Sequence, residues 1–195
     1  MRQSRQANLI KQMTHRELTA HLYLTQLILL MVSLIAGAIF FDIADILLRF
    51  KFDSRWVFWG VVNGAAVAGI DIMLMNLLPE RYYDDGGINN KIFKAMPFWQ
   101  IPLVALVVAF TEELLFRGIV QTSIGLVAAS ILFAVIHLRY WTHWYLMVNV
   151  IILSFWIGIV YEMADRLLWP VIAMHFTIDC LLGIYIKFGS FRKDL

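Results

Sequence analysis

Three carboxylates, two imidazoles and a guanidinium stand inside apolar segments of this chain. The first three are in Thr111-Glu112-Glu113-Leu114-Leu115-Phe116-Arg117-Gly118. His137 closes Phe133-Ala134-Val135-Ile136-His137, and the last two frame His175-Phe176-Thr177-Ile178-Asp179. Each charge at bilayer depth costs at least a few kcal/mol, so intramembrane ionisable groups are read as functional by default. Glu113 and Arg117 are four residues apart and share a helix face, where they can pair. Glu112 points ~100° away from Glu113 and is free to face a cavity. His175 and Asp179 project together by the same spacing, and Phe133 lies one turn before His137. A carboxylate beside an imidazole can activate water as a general base. A second imidazole can donate to a developing oxyanion. The same set, Glu112, His137 and His175, is also an acceptable zinc-ligand set with water in the fourth position. No His-Glu-x-x-His helix is present to demand a metal. No Ser or Cys has an evident partnering base, which argues against a covalent nucleophile.

These groups need helices to hold them. Of the 195 residues, 61% are hydrophobic and 15% charged. A soluble domain is nearer half apolar and a quarter charged. The chain is therefore read as all-α: a polytopic membrane helix bundle of about six transmembrane helices. The first apolar run goes from Leu22 to Phe41, the length a helix needs to cross the hydrocarbon core. The second runs from Trp56 to Leu78 and contains Gly60, Gly64 and Gly69, small residues that admit close helix approach. It also contains Asp71, read as a polar contact to a neighbouring helix. Residues 79–94 read as a loop, rich in turn formers. Further spans begin near Phe98, Leu126, Trp144 and Pro170. Residues 1–21 form a basic tail or interfacial segment, 22–94 two accessory helices and the loop, and 95–195 the segment carrying the chemistry.

The third and fourth spans must be antiparallel neighbours if Ser123-Ile124-Gly125 is the turn between them. A turn there leaves Glu112 and His137 ~18 Å away on either side, at one depth. His175 lies only a few residues inside the sixth span and fits that depth less well. Segments 1–21, 79–97, 139–143 and 187–195 would share one side of the membrane and hold 11 of the 16 Lys and Arg. The positive-inside rule then places both termini in the cytoplasm. The lone cysteine, Cys180, excludes an internal disulfide. The net charge of +2 is too small to suggest nucleic acid.

The order Glu112-Glu113-x-x-x-Arg117-Gly118, Phe133-x-x-x-His137, His175-x-x-x-Asp179 resembles the three-motif signature of the CAAX protease and bacteriocin-processing family, also called Abi. The resemblance covers roughly residues 98–188. It implies intramembrane peptide-bond hydrolysis, related to that of the type II CAAX prenyl endopeptidases. By analogy, Glu112 with His137 activates water, and His175 with Asp179 stabilises the oxyanion. Glu113, Arg117 and Phe133 are supporting residues. In the prenyl endopeptidases the last position is Asn. An ionised Asp179 accepts but does not donate, so it would orient His175 or ligate a metal. The resemblance favours metal-free glutamate chemistry, with zinc as the alternative.

Read singly, the Glu113–Arg117 pair, His137 and the His175–Asp179 pair each have a bland reading as a helix–helix polar contact. Their joint order and depth favour one shared site. The leading function is an intramembrane peptidase acting on a membrane peptide or protein within the lipid bilayer, in a bacterial plasma membrane. The alternative is a non-catalytic scaffold or regulator of a membrane or cell-envelope enzyme. A proton-coupled transporter is disfavoured by the small number of spans and the lack of an inverted repeat.

Overall fold

The computed structural model describes residues 12–141 and 143–189. Every regular element among them is helical. Helix α1 spans His15–Phe40 and opens on a reciprocal cap. The Thr14 hydroxyl accepts the Glu17 N–H at 3.3 Å, and the Glu17 carboxylate accepts the Thr14 N–H at 2.6 Å, satisfying two donors that a helix start leaves without partners. A short helix α2 (Ile43–Arg49) turns the chain. Helix α3 (Ser54–Leu77) begins where the Asp53 side chain accepts the N–H groups of Arg55 and Trp56. Then come α4 (Glu80–Tyr83) and α5 (Ile88–Ala95). Helix α6 (Gln100–Glu113) passes directly into a π-helical stretch, Leu114–Gln121, and a last turn, α7 (Thr122–Ile124). Gly125, at φ 86°, reverses the chain. Helix α8 (Leu126–Ile136) stops at His137 and is followed by a 3-10 turn, Leu138–Tyr140. Helices α9 (Trp144–Met163) and α10 (Leu168–Phe188) complete the bundle.

Helices α1, α3, α9 and α10 are long and apolar enough to cross a membrane. The two other expected spans take different forms. The third, α6, ends on Glu112 and Glu113 and runs on into the π-helical stretch that holds Arg117. The fourth, α8, has 11 residues, only about 16 Å of helix.

Helix α10 is the hub. It packs on α3, α6 and α9, and its Leu168, Val171, Ile172, Met174 and Ile178 are almost fully buried. Gly60 and Gly64 bring α3 onto it. A Cβ on Gly60 would collide with the Pro170 carbonyl, and one on Gly64 would stand 2.5 Å from the Met174 oxygen. Gly69, expected to share this role, faces open space instead, because it lies off the stripe that Ala68 continues at 0% exposure. Outward-facing Leu27, Leu34, Ile35 and Ile39 of α1 are exposed, as a lipid-facing helix requires. Asp71 does contact a neighbouring helix: it accepts from Asn149 of α9 at 3.3 Å.

One boundary needs correction. Residues 15–21, within the expected basic tail or interfacial segment, form the first turns of α1; residues 1–11 lie outside the described residues. The expected loop at 79–94 holds α4 and α5. Gly87 takes the left-handed conformation at φ 83° and lets α5 bury Ile88 and Ile92 against α1. Turn formers there mark the joints of short helices rather than an open loop. At this end of the bundle Lys187 donates to the Met96 carbonyl at 2.6 Å, and Arg139 pairs with Asp85 at 3.7 Å. At the opposite end Trp169 donates to the Phe50 carbonyl at 2.9 Å.

Candidate active site

The site is built on the junction between α6 and its π-helical continuation. A π-helix hydrogen-bonds five residues apart and winds more residues into a given length. It also leaves carbonyls poorly served, and side chains take them up here. Arg49 of α2 donates to the Gly118 carbonyl at 2.6 Å, and the Thr122 hydroxyl to the Arg117 carbonyl at 3.0 Å. On α9, Ser154 and Gly158 give the stretch room. Ser154 is fully buried, and Gln121 donates to the Gly158 carbonyl at 2.9 Å. His175, seven residues into α10, meets Glu113, although a count at α-helical rise leaves His175 at a different depth.

Glu113 is wholly buried and serves two partners. Its Oε2 accepts from Arg117 Nε at 3.0 Å, and its Oε1 accepts from His175 Nδ1 at 2.7 Å. Arg117, also at 0% exposure, donates to Ser154 Oγ at 3.1 Å. Its guanidinium carbon lies 5.5 Å from the Phe133 ring centroid. The remaining Nη1 has no protein partner. The Glu113–Arg117 pair neutralises itself, which lowers the cost of burying both charges. His175 Nε2 lies 3.5 Å from Asp179 Oδ2, and Asp179 is 32% exposed. The polar cluster is thus dry at Glu113 and opens at Asp179.

His137 caps the C-terminus of α8. Its Nδ1 meets the Phe133 carbonyl at 2.6 Å. A carbonyl only accepts, so Nδ1 carries the hydrogen and Nε2 presents a free lone pair. The ring is held between Phe133 and Tyr140, at centroid separations of 4.6 and 5.8 Å. Phe133 in turn meets Phe116 edge-on at 4.9 Å. Tyr140 is fixed by Arg139, whose Nη2 donates to its hydroxyl at 2.6 Å.

Glu112 points away from Glu113, as the helical spacing requires, and is 8% exposed. Among the described residues, its side-chain hydrogen bond comes from Gln26 of α1, at 3.4 Å. Glu112 and His137 make no direct hydrogen bond. Phe133 links His137 to the cluster: its ring centroid lies 4.6 Å from that of His137 and 5.5 Å from the Arg117 guanidinium carbon. The structure therefore joins Glu113, Arg117, His175 and Asp179 by contact, with His137 attached through the Phe133 ring and Glu112 through its place beside Glu113 in the chain.

Gln26, Thr111 and Ser154 were not anticipated. Gln26 was visible as a lone amide in the run from Leu22 to Phe41, but nothing in the sequence says which helix it faces. Glu113 pairs with Arg117 as its spacing allows, and its second oxygen holds His175, a contact the spacing did not indicate. Among the described residues no three His, Cys, Asp or Glu side chains converge closely enough to hold a metal ion. Glu112, His137 and His175 as arranged do not form such a group. Two apolar grooves lie apart from the cluster: one of about 560 Å³ beside Trp56, Trp59 and Trp156, another of about 350 Å³ beside Ile131 and Trp141.

Residues 94–181 match a protein family described as "Type II CAAX prenyl endopeptidase Rce1-like". The matched segment contains all seven sequence-selected residues. The Bacillus subtilis (strain 168) protein "Uncharacterized protein YpbD" is 40% identical over 173 residues, which are 88% of this chain and 91% of that protein. No solved structure matches the chain.

Proposed function

The chain belongs to the Rce1-like family of type II CAAX prenyl endopeptidases, and on that premise we propose that it hydrolyses a peptide bond of a membrane-associated peptide or protein, with Glu112 and His137 activating the water. The observation that carries this reading is that Glu113, next to Glu112 in the chain, holds His175 at 2.7 Å, while the Phe133 ring stands between the Arg117 guanidinium carbon, at 5.5 Å, and the His137 ring, at 4.6 Å. That chain of contacts supports one shared site for the two imidazoles and the paired carboxylates.

In this reading the free oxygen of Glu112 takes a proton from water, and the water oxygen adds to the scissile carbonyl carbon. His137 accepts a hydrogen bond at Nε2 and so orients that water. Oxyanion charge develops opposite His175. Glu113 has claimed Nδ1 of that ring, so Nε2 is the nitrogen that turns toward substrate. Asp179 holds Nε2 until substrate arrives. The proton held by Glu112 passes to the amide nitrogen as the carbon–nitrogen bond breaks. Arg117 and Phe133 keep Glu113 and His137 in place. The chain sits in a bacterial plasma membrane with both termini cytoplasmic, in line with the Lys and Arg distribution and with a relative from Bacillus subtilis.

The test is cleavage of a membrane-peptide library by purified protein, wild type against Glu112→Gln and His137→Ala. General-base loss lowers the rate by about 10²- to 10⁴-fold, with thermal unfolding in detergent unchanged. Variants that cleave as well as wild type would overturn the water-activating role. A wild type without cleavage would favour the scaffold reading.

A further inference from the structure

Helix α1 lies outside the matched segment 94–181, and its buried stripe is small and polar: Thr19, Gln26, Ser33 and Gly37, with Leu18 at one end. Thr19 and Ser33 spend their hydroxyls on their own helix, donating to the carbonyls of His15 and Leu29. Gln26 instead reaches across to α6. Its amide oxygen accepts from the Thr111 hydroxyl, and its amide nitrogen donates to Glu112 Oε1 at 3.4 Å. The amide is 6% exposed. Packing alone does not call for it. Without Gln26 the single hydrogen of the Thr111 hydroxyl would still find the carbonyls of Val107 and Val108, 2.9 and 3.2 Å away. An apolar side chain at position 26 would bury at no desolvation cost, whereas an amide must be hydrogen-bonded to be tolerated there.

We infer that Gln26 is a positioning residue for Glu112. Thr111 sits next to Glu112 in sequence, and its hydroxyl engages the amide oxygen. That leaves only the NH₂ end to face the carboxylate. A carboxylate oxygen only accepts, so the amide holds one Glu112 oxygen and leaves the other free for a proton. The bond spans two helices, so α1 fixes the rotamer of a residue that α6 alone would leave mobile. The catalytic consequence rests on the peptidase reading, but the contact itself does not.

The test uses the full-length protein in lipid nanodiscs, with Gln26→Met, Thr111→Val, Thr111→Ser and the Gln26→Met/Thr111→Val double variant. Loss of one hydrogen bond to a charged group lowers kcat about ten- to thirtyfold, with KM nearly unchanged and thermal unfolding at the wild-type temperature. Thr111→Ser keeps the hydroxyl and the rate, and the double variant is no slower than Gln26→Met. A second readout needs no turnover: modification of Glu112 by dicyclohexylcarbodiimide, followed by peptide mass mapping, rises severalfold in Gln26→Met. Thr111→Val probes the same axis should Gln26→Met fail to fold. Labelling equal to wild type overturns the inference, as does raised labelling with kcat unchanged. A wild type that cleaves nothing ends the peptidase reading, and labelling alone then decides whether Gln26 holds Glu112.

Discussion

Glu113 accepts the Nδ1 hydrogen of His175 at 2.7 Å, tying α6 to α10 inside the apolar core. Its other oxygen holds Arg117, so one carboxylate neutralises a buried cation and sets the orientation of an imidazole. Removing it leaves both partners without an anion. Glu113→Ala should therefore destabilise the protein by about 3–5 kcal/mol, the loss typical of breaking one side of a buried pair. The Glu113→Gln/Arg117→Met double variant should recover part of that loss. Thermal unfolding in detergent reads both, and additive effects would mean that the two side chains do not act as a pair.

The close approach of α3 to α10 depends on two glycines. Gly64→Leu forces side-chain atoms into the space held by Met174 and Thr177, and should lower the unfolding temperature sharply or stop accumulation. Gly69→Ala meets nothing within 4 Å. It should be neutral or slightly stabilising, because alanine is the better helix former. Equal effects of the two changes would show that helix packing here tolerates bulk.

Asp179 should matter by charge as well as by shape. Asp179→Asn keeps an oxygen near His175 Nε2 and adds a donor. If Asp179 only orients the imidazole, the variant should retain most of its kcat. If the carboxylate charge supports a protonated imidazole against the oxyanion, kcat should fall about tenfold or more. Cleavage rates of the two forms at matched folding separate these roles.

Asp85, outside the spans, should give a measurable pH signature. Burial pushes its carboxyl above the ordinary value of 3.8, against the pull of Arg139. The folded state therefore holds the Asp85 proton more tightly than the unfolded state. That contribution to stability is present below the ordinary value and is lost as pH rises through the raised one. Asp85→Asn keeps an oxygen for the Asn89 N–H and removes the titration. Its unfolding temperature should vary less with pH over the mildly acidic range. A pH dependence identical to wild type would contradict this assignment.

A chelator series bears on the reaction type. Glutamate-activated water predicts full cleavage after dialysis against a strong zinc chelator. Loss of cleavage restored by zinc would favour the metal alternative.

The sequence by itself determined the membrane class, the long apolar helical runs and the six ionisable residues. Apolar run length and helical spacing are local properties, and a charge in lipid is conspicuous wherever it falls. Glu113 with Arg117, and His175 with Asp179, were legible because partners four residues apart on one helix must meet. Only the tertiary structure decided the rest. The relative depth of α6 and α10 is set by how the helices pack, which no count of residues along one helix anticipates, and that packing brings His175 to Glu113. Likewise the rotation of α1 about its own axis decides that Gln26 faces Glu112 rather than lipid, because an isolated amide in an apolar run carries no record of its direction.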